Sequence, residues 1–345
     1  MTGHRPAVAL CDNRPARPMT EPRDVLIVMP IYNDWEAVSL LLGRLDAVLA
    51  QADISADVLL VDDGSVEDVP GGTDTGGRRA LCRIDVLKLR RNLGHQRAIA
   101  TGLCYAHDHL QARAVVVMDG DGEDAPEDVP RLIEKLRASG ARAVVFAERT
   151  RRSENLTFRI GYTLYRWAHR LLTGIAVRVG NFSAFPYALL PRLVTVSELW
   201  NHYAAAVFKS GLPREAIPTT RGARLHGRPR MNYVALLAHG LSALSVHAEL
   251  VGVRLLAVTA LLACALVGLM VGVLVVRLAT PLAIPGWTST LAAILLVLLV
   301  QVAGFAGFLA FVVLHGRSQP GFIPIRDYVH FVDSLRPLAG GAKEP

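Results

Sequence analysis

Aromatic residues are scarce in this sequence: Phe, Trp and Tyr make up 6% of its 345 residues, whereas hydrophobic residues make up 52%. The hydrophobic excess is therefore aliphatic, which is typical of buried strands and of membrane-spanning helices. Cysteine is also rare. The four cysteines (Cys11, Cys82, Cys104 and Cys264) show neither metal-ligand nor disulfide spacing, so we expect reduced thiols.

Two nucleotide-binding motifs are absent. No G-x-G-x-x-G follows the first predicted strand, and the chain contains no G-x-x-x-x-G-K-[ST]. These absences argue against a dinucleotide-binding Rossmann domain and against a P-loop NTPase. No DNA- or RNA-binding motif is present either, so nucleic acid is not an expected partner.

The first 22 residues are rich in Pro and Arg and contain no hydrophobic run longer than "AVAL". This composition is not that of a signal peptide. We therefore expect residues 1–23 to be a disordered tail and the following domain to lie in the cytoplasm.

Long hydrophobic runs occur only near the C-terminus. Leu255–Val276 is free of charge and lies between Arg254 and Arg277, and Leu291–Leu314 has Gln301 as its only strongly polar residue. Because about 20 apolar helical residues span a bilayer, each run predicts a transmembrane helix.

A short segment with two prolines and a glycine, uncharged after Arg277, joins the two runs, which predicts a helical hairpin with both ends on one side of the membrane. The expected division is a catalytic domain at 24–230, an interfacial helix at 231–250, two spans within 251–315 and a cytoplasmic tail at 316–345. His315, Arg317 and Arg326 after the second span favour a cytoplasmic domain on an inner membrane, although Arg277 on the far side weakens this signal.

Positive charge is concentrated ahead of the spans. Residues 142–230 contain 15 Lys and Arg and four acidic residues, a net charge of +11, whereas the whole chain carries +7. A basic segment next to a bilayer favours anionic lipid headgroups or phosphorylated substrates as ligands.

Between residues 24 and 146 short apolar runs alternate with helical stretches. The runs are "DVLIVMP", "DVLLVDD", "DVLKL", "AVVVMDGD" and "RAVVF", and the predicted helices are Trp35–Ala50, Gly94–His109 and Glu127–Ala138. This order predicts a doubly wound, mostly parallel α/β sheet. Ligands bind such sheets beyond the carboxyl ends of the strands, and a polar motif follows each of the first four runs.

The fourth motif, "DGDGED", places four carboxylates within six consecutive residues, directly after a predicted buried strand. Clustered carboxylates need a compensating charge, and a divalent cation held by oxygen ligands provides one. A solvated acidic turn is the alternative for any single D-x-D.

The ordered motifs resemble those of family 2 glycosyltransferases of the GT-A type, in the branch of dolichyl-phosphate mannose synthase and the bacterial polyprenyl-phosphate glycosyltransferases. The resemblance is carried by "PIYND" (Pro30–Asp34), "VDDGS" (Val61–Ser65), "RNLGHQRAIATG" (Arg91–Gly102), "MDGDGEDAPED" (Met118–Asp128) and "RLHGRPRMNY" (Arg224–Tyr233). It covers residues 24–235 and the two-span end.

The resemblance implies an inverting transfer of one sugar from a UDP- or GDP-linked donor to a polyprenyl phosphate. It implies that Asp119 and Asp121 act with Mg²⁺ or Mn²⁺, whose charge stabilises the leaving diphosphate. The implied nucleotide-sugar residues are Pro30, Tyr32, Asn33, Asp34, Asp62, Asp63, Asn92, Gly94 and Arg97. Helix capping is the alternative for Asn33 and Asp34, and surface solvation is the alternative for Arg97.

The acceptor phosphate is expected to meet arginines of the basic segment. Arg149 is predicted at the reaction centre, and Arg224, Arg228 and Arg230 are predicted at the acceptor phosphate, because guanidinium groups bind phosphate bidentately. Ordinary attraction to the membrane surface is the alternative for each of them.

One segment departs from the family pattern. Asn181 and Ser183 in "GNFSAFP" stand where relatives carry an acidic residue and an arginine. Three alternatives therefore stay open: a different lipid or glycan acceptor, a catalytically silent nucleotide-sugar binder anchored in the membrane, and a processive synthase, which two spans and the absence of Q-x-x-R-W disfavour. The oligomeric state is open, with self-association through the hairpin as one option.

Overall fold

The structure is a computed structural model that describes residues 23–67, 77–149, 167, 170–174, 179–220, 222, 224–226, 241–280, 286–318 and 321–338. Several predicted features lie outside the described residues: the tail at 1–22, the first half of the interfacial helix at 231–240, Arg228, Arg230 and the side chain of Arg149. The chain divides into two compact units, one of residues 1–155, 178–239 and 322–345 and one of residues 156–177 and 240–321.

Among the described residues of the first unit, eight strands form one sheet. They are β1 (Arg23–Ile31), β2 (Ala56–Asp62), β3 (Leu81–Leu89), β4 (Ala112–Val117), β5 (Val144–Arg149), β6 (Val179–Pro186), β7 (Arg214–Thr219) and β8 (Val332–Pro337). Their order across the sheet is β7-β5-β6-β4-β1-β2-β3-β8. β1 pairs in parallel with β2 and β4, and β2 pairs in parallel with β3, so the predicted mostly parallel sheet is confirmed.

Helices cover both faces of the sheet. The three predicted helices are α1 (Trp35–Gln51), α2 (His95–His109) and α3 (Asp128–Ala138), so each predicted boundary is within one residue of the observed one. α1 and α3 pack on one face through a cluster that includes Leu41 and Leu132. α2 packs on the other face, together with α4 (Leu190–Val194) and α5 (Tyr203–Lys209).

The two-sided burial follows from the strand sequences. Seven consecutive residues of β1, from Val25 to Ile31, are buried, because an interior parallel strand has helices on both faces. This arrangement leaves the loops at the carboxyl ends of the strands as the polar edge of the sheet.

Three strands belong to segments where the sequence analysis named no strand. β6 covers "GNFSAFP" and is antiparallel to both β4 and β5, while β7 pairs in parallel with β5. β8 lies in the expected tail and pairs antiparallel with β3, after the short α8 (Pro324–Asp327). The last described residues therefore belong to the sheet rather than trailing from it.

The second unit contains two long apolar helices, α6 (Ala248–Ala279) and α7 (Trp287–Ser318). Both are long and apolar enough to cross a membrane by length and composition. They pack against each other at Gly252, where a Cβ atom would overlap the side chain of Val313. Each helix extends beyond its predicted hydrophobic run by a turn or more at one or both ends.

Candidate functional site

The loops that follow β1 and β2 are joined by hydrogen bonds. The backbone N–H of Asn33 donates to Ser65 Oγ at 2.9 Å, and Asn33 Oδ1 accepts from the backbone N–H of Val66 at 2.9 Å. Asn33 adopts a left-handed φ of 51°, a conformation that Asn tolerates better than most residues. These two hydrogen bonds of Asn33 hold the loop after β1 against the loop after β2.

The second and third loops meet at Asp63. Its Oδ1 accepts from the backbone N–H of Leu93 at 2.7 Å, and its Oδ2 accepts from that of Gly94 at 2.9 Å. Burial raises the pKa of Asp63 above its usual value, and these two amides act against the rise. Asp62 Oδ1 accepts from the backbone N–H of Ser65 at 2.9 Å.

The close approach of these loops requires a glycine at position 64. Gly64 has a φ of 70°, and a Cβ atom there would lie 2.7 Å from backbone atoms of Arg91 and Asn92. A side chain would therefore clash with backbone that cannot easily move. The glycine of "VDDGS" thus lets the second loop pack against the third.

The acidic loop, residues 119–124, follows Met118, the first residue after β4. Asp124 Oδ2 accepts from the backbone N–H of Asp119 at 3.0 Å, and Asp121 Oδ1 accepts from that of Glu123 at 2.9 Å. Burial, followed by the negative charge of Asp119, raises the pKa of Asp121 above its usual value. A buried carboxylate beside like charges is stabilised by a cation.

Arg224 provides positive charge at this loop. Its Nη1 lies 3.1 Å from Asp121 Oδ2 and its Nη2 lies 3.0 Å from Asp34 Oδ2, and its side chain is 15% exposed. The backbone N–H of Leu225 donates to the carbonyl oxygen of Asp121 at 3.0 Å, which fixes the arginine segment on the loop. The guanidinium group of Arg224 thus links "PIYND", which contains Asp34, to "DGDGED", which contains Asp121.

Asp34 occupies the N-cap position of α1, but its side chain makes no capping hydrogen bond. The capping interpretation of Asp34 is therefore wrong, and its carboxylate faces Arg224 instead. Removing a charged partner from such a partly buried pair leaves the other charge poorly compensated.

Sequence reasoning missed two polar residues beside the acidic loop, His95 and Gln96, which contact Asn181. His95 Nε2 lies 3.1 Å from Asp119 Oδ1 and 2.9 Å from Asn181 Nδ2, and Gln96 Nε2 donates to Asn181 Oδ1 at 3.2 Å. The signal for His95 and Gln96 was their position at the first turn of α2, inside the third motif.

The other predicted nucleotide-sugar residues lie around the same edge. Pro30 is buried at the end of β1, Tyr32 is half-buried and Asn92 is exposed. Gly94 precedes α2 with a φ of 93°. Arg97 is exposed, with its guanidinium carbon 5.7 Å from the centre of the Trp200 ring, so it takes part in a cation–π contact.

The acidic loop fits a magnesium-like cation held partly by substrate. Within the described residues, no group of three or more His, Cys, Asp or Glu side chains forms a ready-made metal site. Mg²⁺ is commonly bound by one or two carboxylates together with substrate phosphates and water. Asp119 and Asp121 supply that number of carboxylates, and Asp121 already contacts the cationic group of Arg224.

Comparison with known sequences matches a family model to the part of the chain that contains β1 to β6. Residues 26–192 match the family model described as Glycosyl transferase family 2. The chain is 33% identical over 153 residues to an undecaprenyl-phosphate 4-deoxy-4-formamido-L-arabinose transferase of Pseudomonas syringae pv. syringae, covering 44% of each protein. It is 27% identical over 230 residues to the protein of that name from Edwardsiella ictaluri, covering 65% of this chain and 60% of that one.

The chain spans from about a third to about three-fifths of the length of the curated undecaprenyl-phosphate 4-deoxy-4-formamido-L-arabinose transferases that it matches. Among solved structures, the chain resembles glucosyl-3-phosphoglycerate synthase from Mycobacterium tuberculosis in complex with Mn²⁺, UDP-glucose and phosphoglyceric acid. That likeness has a TM-score of 0.46 and 16% identity, and covers 67% of this chain and 80% of that one. The predicted family is confirmed by the sequence matches: residues 26–192 are a domain of glycosyl transferase family 2.

Proposed function

We propose that this chain transfers a single sugar from a nucleotide-sugar to a polyprenyl phosphate at a membrane surface. The observation that carries the proposal is the meeting of Asp121, Asp34 and Arg224 at the strand ends of a family 2 domain. The relatives' names, which specify undecaprenyl phosphate, support the acceptor class.

The donor is a UDP- or GDP-linked sugar bound along the strand-end loops. A divalent cation, Mg²⁺ or Mn²⁺, stabilises negative charge on the leaving diphosphate when it is bound. Asp119 and Asp121 hold that cation. The loops fixed by Asn33 and Asp63 form the walls against which the nucleoside is held.

The acceptor brings its own nucleophile. A phosphate monoester oxygen attacks the anomeric carbon on the face opposite the diphosphate and forms a new carbon–oxygen bond. The bond to the diphosphate breaks, its electron pair leaves with the nucleoside diphosphate, and the anomeric configuration inverts. Because this oxygen is already anionic near neutral pH, the step needs cationic groups rather than a strong general base. Arg149, Arg224, Arg228 and Arg230 are the groups that we assign to this task.

The two long helices anchor the protein in a membrane. β7 and β8 belong to one sheet, and the part of the chain between them contains α6 and α7. A chain that leaves a sheet and rejoins it must cross a membrane an even number of times. This argument supports a two-span hairpin. The basic residues Arg317 and Arg326 after the second span support placing the catalytic domain on the cytoplasmic face of the inner membrane.

The test is product formation from labelled UDP- and GDP-sugars with undecaprenyl phosphate and Mg²⁺ or Mn²⁺, using purified full-length protein in detergent. Asp121→Ala and Asp121→Asn are expected to lower the yield of lipid-linked sugar at least a hundredfold, because the diphosphate loses its cation. Asp333→Ala, at an exposed aspartate of β8, is the matched control and should retain the wild-type yield.

Undiminished product from Asp121→Ala would contradict the assignment of the metal site. A sugar product on another lipid would contradict the acceptor class alone, and mass analysis of the product distinguishes the two. A silent binder is the second candidate, favoured by Asn181 at a position where the family resemblance implies an acidic residue. It predicts Mn²⁺-dependent nucleotide binding without product across the whole donor panel.

A further inference from the structure

A helical segment of the second unit carries exposed apolar side chains. Trp167 and Arg170–Thr173, which belong to the range 156–177 of that unit, are helical. Trp167 is 64% exposed and Leu171 is 60% exposed. Because residues four apart lie on the same face of a helix, these two side chains form one apolar surface.

The other side of the segment is packed against protein. Thr173 is buried and Leu172 is half-buried. A helix on the surface of a soluble domain turns its polar side to solvent, whereas this segment turns Trp167 and Leu171 outward. An outward apolar side is what a helix at a membrane surface presents to lipid.

Arg254 attaches the end of this segment to α6. Its Nη1 donates to the carbonyl oxygen of Leu171 at 2.7 Å. The last carbonyl groups of a helix have no partner within the helix, so a guanidinium group at that end stabilises them. Gly174 leaves room for the contact, because a Cβ atom there would lie 3.3 Å from Arg254 Nη2.

This attachment fixes the level of the segment along the first span. Arg254 is the last charged residue before the apolar run that begins at Leu255. A charged side chain at that point of a spanning helix marks the boundary between hydrocarbon and headgroups. Since Arg254 holds the carbonyl group of Leu171, Leu171 lies at the same boundary, one helical turn from Trp167.

The composition of the whole range agrees with this level. Residues 156–177 contain four aromatic residues, three arginines and no acidic residue, in a chain with only 6% aromatic residues. Trp and Tyr concentrate at membrane interfaces, and arginines there attract anionic headgroups. Arg170 is exposed next to Leu171, so its guanidinium group can reach lipid phosphates while its aliphatic part stays on apolar surface.

We propose that Trp167 and Arg170–Gly174 form a further membrane-binding element, which Arg254 docks on the first span so that Trp167 and Leu171 enter the headgroup layer of a bilayer. The inference rests on the proposed anchoring of α6 and α7 in a membrane. A lipid surface fits because the exposed side combines an aromatic, an aliphatic and a cationic side chain at the boundary of a span. A second copy of the chain, or the catalytic domain, would instead cover these side chains with protein.

The test places a nitroxide spin label at Leu171→Cys in full-length protein reconstituted into vesicles of phosphatidylcholine and phosphatidylglycerol. Cys11, Cys82 and Cys264 are replaced by serine, and the fully buried Cys104 is left in place. Power saturation compares collisions of the label with oxygen, which concentrates in lipid, and with a nickel chelate, which stays in water. We expect an oxygen-to-nickel ratio several-fold higher than at Val66→Cys, the matched control at an exposed valine of the sheet domain.

Two results would overturn the inference. A ratio at position 171 equal to that at position 66 would mean that the side chain lies in water, and low accessibility to both reagents would mean that protein covers it. A label on the native Cys264, an exposed residue of α6, gives the reference within hydrocarbon. Lipid-like values at Cys264 with water-like values at position 171 contradict only this inference, whereas water-like values at Cys264 contradict the membrane anchoring itself.

Arg254→Ala tests the docking contact. We expect the nickel accessibility of the label at position 171 to rise several-fold, because the segment loses its attachment to α6. Arg277→Ala, at an exposed arginine near the other end of α6, is the matched control and should leave the ratio unchanged. An unchanged ratio in Arg254→Ala would contradict the docking role, and the Cys264 label in a parallel preparation of each variant shows whether the spans are still inserted.

Discussion

Individual side chains at the strand ends serve the site in two ways. Asp63 and Asn33 hold backbone groups of neighbouring loops, whereas Asp34 and Asp121 face a guanidinium group. Asn33, Asp34 and Asp63 were predicted to contact the nucleotide-sugar, and Asp121 was predicted to hold the metal ion. The observed contacts of Asp63 indicate that it positions the loop before α2, and a direct contact between Asp63 and the donor stays a prediction.

Arg224 contacts Asp121 where a cation is expected to bind, so the two positive groups compete. We expect Arg224→Ala to bind Mn²⁺ several-fold more tightly than the wild type in the absence of nucleotide, because Asp121 Oδ2 is released. Product yield should fall, since the arginine is also assigned to the acceptor phosphate. Manganese titration by electron paramagnetic resonance measures the first effect.

Arg214→Ala is the control for this experiment, because Arg214 is an exposed arginine whose guanidinium carbon lies 4.3 Å from the centre of the Phe208 ring. Its Mn²⁺ affinity should equal that of the wild type. Weaker Mn²⁺ binding by Arg224→Ala would show instead that the guanidinium group orients Asp121 for the metal.

At the scale of elements, hydrophobic periodicity predicted the three regular helices but did not predict the strand β6. α1, α2 and α3 were predicted to within one residue because their apolar residues recur at helical spacing. β6 was missed because "VGNFSAFP" mixes Gly, Asn, Ser and Pro with apolar residues and shows little strand propensity. Its pairing with β4 and β5 depends on tertiary contacts.

The segment before β8 is attached to the domain by Tyr328. This side chain is 1% exposed, and its hydroxyl donates to Asp108 Oδ2 at 2.8 Å on α2. We expect Tyr328→Ala to destabilise the domain by about 3–5 kcal/mol, the usual cost of truncating a buried aromatic side chain. Tyr328→Phe, which removes only the hydroxyl, should cost about 1 kcal/mol.

Thermal unfolding of the purified protein in detergent checks this pair of variants. The expected order of Tm is wild type, then Tyr328→Phe, then Tyr328→Ala by a wide margin. Equal Tm values for the wild type and Tyr328→Ala would mean that the segment carrying α8 and β8 contributes nothing to the stability of the sheet.

At the scale of the whole molecule, the return of the chain to its sheet constrains the topology. Short epitope tags at both termini should be accessible from the same face of oriented membrane vesicles, and a tag inserted at Gly286, between α6 and α7, only from the opposite face. The tag at Gly286 is the internal control for vesicle orientation. Termini accessible from opposite faces would contradict the two-span hairpin.

The sequence by itself determined the elements that depend on local pattern: the alternating strands and helices, the two long apolar helices and the polar motif after each of the first four strands. Strand pairing alone makes those motifs neighbours, so their convergence was predictable as well. Only the tertiary structure decided which side chains meet across long stretches of chain. Arg224 reaches Asp34 across 190 residues, and Asn181 reaches His95 across 86 residues. Such contacts depend on packing and on the geometry of hydrogen bonds, which no periodic pattern in the chain encodes.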